Sequence, residues 1–211
     1  MKKTLLSATL ALATMAGTAD ADTFAGVALT SNYVGGGRTQ TEDKPALQTY
    51  IEQGFASGLY IGAWASNVDF GTNDTVELDL YGGYRGEIGQ LSYDINYYRY
   101  LYDGDLGNCC GDAFVKVMHP VFGPVSGGIE VSSNLEDYVM YKPLLGIDLG
   151  HGFALAAEYQ FGDVDNETYW KAGLSKSFDN GTSVRVEYSD RSDDESILFF
   201  TLSFDTVLLK G

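Results

Sequence analysis

The stretch that decides the fold is Asp179-Asn180-Gly181-Thr182-Ser183-Val184-Arg185-Val186-Glu187-Tyr188-Ser189-Asp190-Arg191. Asn-Gly is the strongest short signal for a β-hairpin turn. After it, Val184, Val186 and Tyr188 alternate with Arg185 and Glu187, a period of two that gives a strand one apolar face and one charged face. The same pattern recurs along the chain. Val76, Leu78 and Leu80 alternate with Glu77 and Asp79, and Phe153, Leu155, Ala157, Tyr159 and Phe161 alternate with Ala154, Ala156, Glu158 and Gln160. Leu198, Phe200, Leu202 and Phe204 form a last apolar row.

Read in this way the sequence predicts about twelve strands, near 23–33, 46–55, 59–68, 76–86, 91–102, 112–119, 125–134, 138–149, 153–163, 168–178, 182–191 and 196–205. Every second connection is tight: Ala56-Ser57-Gly58, Glu87 to Gln90, Val121 to Pro124, Gly150-His151-Gly152 and Asp179 to Gly181. The others are mostly longer and polar, the longest being Val34 to Pro45. Short turns on one rim, longer loops on the other and an even strand count are the pattern of a transmembrane β-barrel. The expected fold class is therefore all-β, an antiparallel up-and-down transmembrane barrel of about twelve strands. Aromatics near strand ends, Tyr33, Phe55, Tyr102, Trp170 and Phe178, are expected at the lipid interfaces. Arg99 and Lys176 break the apolar rows near strand ends, where a long cation reaches the headgroups.

Met1-Lys2-Lys3, the apolar run Leu5 to Ala16 and Ala19-Asp20-Ala21 read as a secretory signal peptide cleaved after Ala21. The expected organisation is a signal peptide at 1–21 and one barrel domain at 22–211. The 13 basic residues less Lys2 and Lys3 leave 11, and the 29 acidic residues less Asp20 leave 28, so the exported chain is strongly acidic. That balance argues against nucleic acid or anionic lipid as a partner, since both demand clustered cations. No apolar run is long enough for a membrane-spanning helix.

Continuing the alternation places Glu52, Glu77, Asp79, Arg85, Asp94, Lys116, Glu130, Lys142, Asp148, Glu158, Lys171, Arg185 and Glu187 on the inward row. Charges of both signs along an aqueous pore orient dipolar solutes, and an excess of carboxylates favours cations. Equally, the same groups can pair into a salt-bridged lumen that conducts little. The loop Val34 to Pro45, with Gly35-Gly36-Gly37-Arg38, is long enough to fold inward or to lie on the surface. His119 and His151 fall at or beside tight turns without a recognisable Ser partner, so no catalytic residue is expected, and no cofactor. Asp69, Asn73 and Asp74 lack the spacing and terminal Glu of a calcium loop, so no metal site is expected. Cys109 and Cys110 are adjacent and fit a vicinal disulfide or two thiols on a loop.

Thr30-Ser31-Asn32-Tyr33, Gly37-Arg38, Pro45-Ala46-Leu47-Gln48, the run Gly58 to Phe70 and Glu77 to Tyr84 resemble the TorF-type porin family of proteobacteria. The distinctive motifs lie before about residue 102. The resemblance implies an outer-membrane location and passive passage of small solutes. In a Gram-negative outer membrane the expected partners are outer-membrane lipid, the barrel-assembly machinery during insertion and small solutes, with the inward charges pointing to zwitterions or cations. The alternative is a closed structural or surface-interaction barrel without transport. The family's arginine-containing first loop is here glycine-rich around Arg38. The chain also ends Thr206 to Gly211 where outer-membrane barrels commonly end on an aromatic, leaving Phe204 to serve and the last residues to form a tail.

Overall fold

A strand with one apolar and one charged face needs two environments, and a closed sheet supplies both without leaving an edge. The computed structural model describes residues 21–162 and 168–211, and the expected signal peptide lies outside them except for Ala21. Its strands are β1 (Thr23–Thr30), β2 (Val34–Gly35), β3 (Arg38–Thr39), β4 (Ala46–Gly54), β5 (Leu59–Asn67), β6 (Val76–Ile88), β7 (Leu91–Tyr102), β8 (Cys110–Phe122), β9 (Val125–Ser133), β10 (Val139–Gly150), β11 (Phe153–Gly162), β12 (Tyr169–Ser177), β13 (Thr182–Arg191) and β14 (Ile197–Leu209). Among the described residues, β1 and β4 to β14 form a closed antiparallel barrel of twelve strands, each paired with its sequence neighbour, and β14 returns to β1. β2 and β3 are a separate small hairpin.

The barrel is inside-out relative to a water-soluble one. Ile61 and Phe200 on the outer row are 59% and 56% exposed, whereas Tyr60 and Glu52 on the inner row are each 3% exposed. An apolar exterior around a polar interior is stable only where lipid covers the outside. We therefore read β1 and β4 to β14 as membrane-spanning. Among the described residues no helix is long and apolar enough to cross a membrane.

The tight turns fall where the sequence puts them. Around Asn180, Phe178 N–H donates to the Thr182 carbonyl over 2.9 Å, and Gly181 takes φ 86°. At the equivalent turn His151 takes φ 53°, between Gly150 and Gly152.

Several boundaries differ from expectation. β8 extends past 119 to Phe122, because Pro120 sits at a register shift where its missing N–H leaves no ladder bond broken. β14 continues to Leu209, pairing with Thr23, so Thr206 to Leu209 are strand and not a tail. Cys109 and Cys110 form a vicinal disulfide, and Cys110 already opens β8.

Two of the five supposed interfacial aromatics turn inward. The Tyr102 hydroxyl donates to Glu77 over 2.8 Å, and Tyr33 packs edge-on against inward-facing Trp64 at 5.5 Å. Phe55, Trp170 and Phe178 do face outward, 40–48% exposed. Both exceptional cations reach the rims. Arg99 Nε donates to Asn108 Oδ1 over 2.6 Å, and Lys176 bonds the His151 carbonyl while lying 4.6 Å from the Phe153 ring centroid.

On the long-loop side, the connections 68–75 and 103–109 are fastened together by carboxylates. Asp74, 1% exposed, accepts from Gly104 N and Leu106 N, both over 3.1 Å, and from the Thr72 hydroxyl over 2.8 Å. Its oxygens are thus engaged by the two loops themselves. Asp103 accepts from Thr75 N, Thr75 Oγ1 and Val76 N over 2.7, 2.6 and 2.9 Å. These bonds, the Thr75 hydroxyl first, hold the Asp103 carboxyl down at about 2, against an ordinary aspartate value near ~3.9. A depressed folded-state value means the fastening is complete above about pH 4 and is lost as pH falls through 4 towards 2. Amide exchange at Thr75 and Val76 should accelerate across that window in the native barrel. Asp103→Asn should make their exchange insensitive to pH there, after correction for intrinsic rates.

Candidate functional site: the charged lumen and its mouth

Strand pairing sets the inward charges into two groups and an acidic wall. In the first group Arg85 on β6 stands opposite Asp94 on β7. Its Nη2 lies 2.9 Å from Glu52 Oε2 on β4, its Nε 3.6 Å from Asp94 Oδ2, and its guanidinium carbon 3.6 Å from the Tyr60 ring centroid. The Tyr60 hydroxyl and Asn96 amide also donate to Asp94. An arginine suits this corner because its planar fork serves two carboxylates while its face stacks on a ring.

The second group runs across β8 to β13. Lys116 and Lys142 flank Glu130 in the register, with Lys142 Nζ 2.9 Å from Glu130 Oε1. Lys171 lies between Glu158 and Glu187, 3.5 Å from each, and Arg185 Nε is 2.9 Å from Glu187 Oε2. Tyr169 donates to Glu158 over 2.9 Å. Glu187 reaches across β12 because Gly173 leaves room: a Cβ there would stand 2.7 Å from Glu187 Cγ. Breaking such a buried pair costs far more than its presence contributes, since the orphaned charge cannot rehydrate.

The third surface, on β6 to β8 near the long-loop rim, is acidic and rich in tyrosine. Glu77 takes the Tyr102 hydroxyl, and Asp112 takes those of Tyr100 and Tyr138. Asp79 is 6% exposed, and its Oδ1 has no hydrogen-bond partner among the described residues. Asp148 does not join any of these groups. It keeps the parity of Lys142 on β10 but stands exposed at the tight-turn rim, where it accepts from Gly150 N over 2.8 Å, so it ends the inner row without pairing in it.

Sequence reasoning passed over several members. Asp112 shares its face of β8 with Lys116, and Asp205, which accepts from Tyr50 over 2.9 Å, shares its face of β14 with buried Thr201 and Ser203. Parity within each strand was the available signal. It would also have placed Tyr102 beside Asp94 on β7. Tyr60, Tyr81, Tyr98 and Phe114 form a ring ladder across β5 to β8, with successive centroids 6.2, 4.9 and 5.6 Å apart.

The first loop covers the mouth. At its base Tyr33 lies against Trp64 on β5, and the Asp69 N–H donates to the Gln40 carbonyl over 2.8 Å. Lys44 Nζ pairs with Asp69 over 2.6 Å, holding the Asp69 carboxyl below and the Lys44 ammonium above their usual ranges. The tip of the β2–β3 hairpin reaches the other wall. Gly37, at φ 82°, abuts β12 and β13 so closely that a Cβ would stand 2.9 Å from Tyr169 Cβ and 3.2 Å from Arg191 Cβ. Arg191 Nη1 donates to the Gly36 carbonyl over 2.6 Å, and Arg38 pairs with Asp193 and Asp194. Of the two courses open to this loop in the sequence, the chain takes the inward one.

A family model described as "Bacterial protein of unknown function (Gcw_chp)" matches residues 15–208. No curated protein matches the sequence. Among solved structures, the barrel is similar to the KdgM porin, at 8% identity over 87% of this chain and 97% of that one, with a TM-score of 0.61. It is similar to the NanC porin at 11% identity over 90% of this chain and 100% of that one, TM-score 0.55. The outer membrane protein Omp33 of Acinetobacter baumannii aligns at 7% identity over 90% and 100% of the two chains, TM-score 0.51. At these identities the likeness is one of fold.

Proposed function

The chain belongs to the bacterial Gcw_chp family of unknown function, a membership that brings no activity with it, and from its interior we propose that it is a narrow outer-membrane channel for small solutes. The observation that carries this reading is the state of the inner charges: Arg85, Lys142, Lys171 and Arg185 are paired, yet their side chains keep 15–18% exposure inside a barrel whose outside is apolar. These groups therefore border space inside the barrel, although the cavity beside Glu158, Lys171, Arg185 and Glu187 is only about 10 Å³, room for about one water. Charges of both signs on an inner wall favour small polar and zwitterionic solutes over apolar ones. In this reading Glu52, Glu77, Asp79, Arg85, Asp94, Lys116, Glu130, Lys142, Glu158, Lys171, Arg185 and Glu187 line the path, residues 1–21 are a removed export signal, and the first loop narrows the entrance. The fold shared with the KdgM porin, one of whose structures is a complex with disordered oligogalacturonate, and the resemblance to the TorF-type family support a channel without naming its solute.

Planar-bilayer recording of the refolded barrel tests the proposal. Small discrete steps that change ion selectivity in Glu130→Ala and Lys142→Ala are expected. A silent barrel of demonstrated fold would instead favour the closed structural reading, which the density of ion pairs supports. In that case the two substitutions lower stability and nothing else.

A further inference from the structure

Just inside the mouth lies a cavity of about 70 Å³ whose wall includes Tyr33, Tyr50, Trp64, Tyr98 and Asp79, with Arg185 and Asp205 at a second polar edge. Trp64 and Asp79 are direct cross-strand neighbours on β5 and β6, and Tyr33 closes edge-on against Trp64 from the first loop. At that edge each charge has a counterpart: Arg185 lies 2.9 Å from Glu187, although its Nε makes no hydrogen bond among the described residues, and Asp205 accepts from Tyr50. Asp79 is different. Its buried Oδ1 has no partner among the described residues, and the carboxylate nearest it along β6 is Glu77, which adds negative charge.

We propose that this cavity is a binding site for a small alkylammonium ion, its N–H donated to Asp79 and its alkyl carbons held against Tyr33, Trp64 and Tyr98. Aromatic faces attract an organic cation most strongly once it is desolvated, and a buried carboxyl beside a like charge is neutralised by either a proton or a counter-ion, so an ammonium ion can take the proton's place. Size narrows the class. A dry cavity of about 150 Å³ admits benzene, so about half that volume suits three or four heavy atoms, as in ethylammonium or dimethylammonium. The site deepens the channel reading by giving its path a selective station, but binding does not require conduction.

The test uses folded barrel in detergent with no membrane, so its failure is separate from that of the channel. Trp170, the second of two tryptophans, is first replaced by Phe so that Trp64 alone reports. Ethylammonium chloride should give saturable changes in Trp64 emission, displaced by dimethylammonium. Ethanol, with the same heavy-atom count and no charge, and sodium chloride should be at least about tenfold weaker, a difference of 1.4 kcal/mol. Asp79→Asn should weaken ethylammonium by at least the same factor, and Tyr33→Leu, on the loop and outside the barrel wall, should weaken it without affecting folding. The proposal is overturned by absence of saturation, by ethanol or sodium binding as well as ethylammonium, or by unchanged affinity in either variant.

Discussion

Gly37→Val should unlatch the first loop and raise the conductance of the barrel. The backbone at this position has φ 82°, a region that β-branched residues occupy only under strain, and the new Cβ would meet Tyr169 and Arg191 at 2.9 and 3.2 Å. Such strain costs about 1–3 kcal/mol and is relieved only if the hairpin tip leaves β12 and β13. Detachment also releases the Arg191 bond to the Gly36 carbonyl. A change of 1–2 kcal/mol shifts a two-state ratio by a factor of roughly 5–30, enough to turn rare openings into frequent ones. The exposed Arg38 pairs with Asp193 and Asp194 make the natural control: surface ion pairs contribute about 0–1 kcal/mol, so Arg38→Gln should do much less. A spin label at residue 36 that becomes mobile in Gly37→Val while conductance stays unchanged would show that the loop is not the constriction.

That latch marks where sequence reading stopped. The strands were legible because a period of two survives in any barrel that separates lipid from lumen, and Val184 to Tyr188 state it in five residues. The charged inner row followed from the same parity. Tyrosine was harder, since it suits both faces: Tyr84 and Tyr188 point to lipid, whereas Tyr81 and Tyr60 are buried inside. Composition cannot divide them, and only counting within each strand does. Tyr33 has no such parity, because it lies in a loop whose course depends on Trp64 and, through Gly37, on Tyr169 far along the chain. Nor does the sequence alone disclose that Asp79 Oδ1 lacks a hydrogen-bond partner among the described residues, which depends on side chains from separate strands converging at the mouth.

The inner ion pairs give the second large expected effect. Lys171→Met keeps the length of the side chain and removes the charge shared by Glu158 and Glu187, whose side chains are each 5% exposed. The two carboxylates are not equally stranded. Glu187 keeps Arg185 at 2.9 Å, while Glu158 keeps the Tyr169 hydroxyl, a neutral donor that stabilises an anion less than an ammonium does, and the longer-range attraction of Lys142. Breaking one side of a buried pair costs about 3–5 kcal/mol, and the retained partners together with the partial solvent access of Lys171 place this case at the lower end, about 3. Urea unfolding of the barrel in lipid should show that loss. Adding Glu158→Gln should restore most of it, because a neutral amide can still accept from Tyr169; a double-mutant cycle with strictly additive losses would mean that the pair is not coupled. The same variants bear on function. With Lys171 gone the wall carries one more unbalanced negative charge, so a conducting barrel should shift its reversal potential towards cation preference, and Glu158→Gln should return it. In a closed barrel only the stability would move, which makes Lys171 the residue at which the two readings of this lumen part.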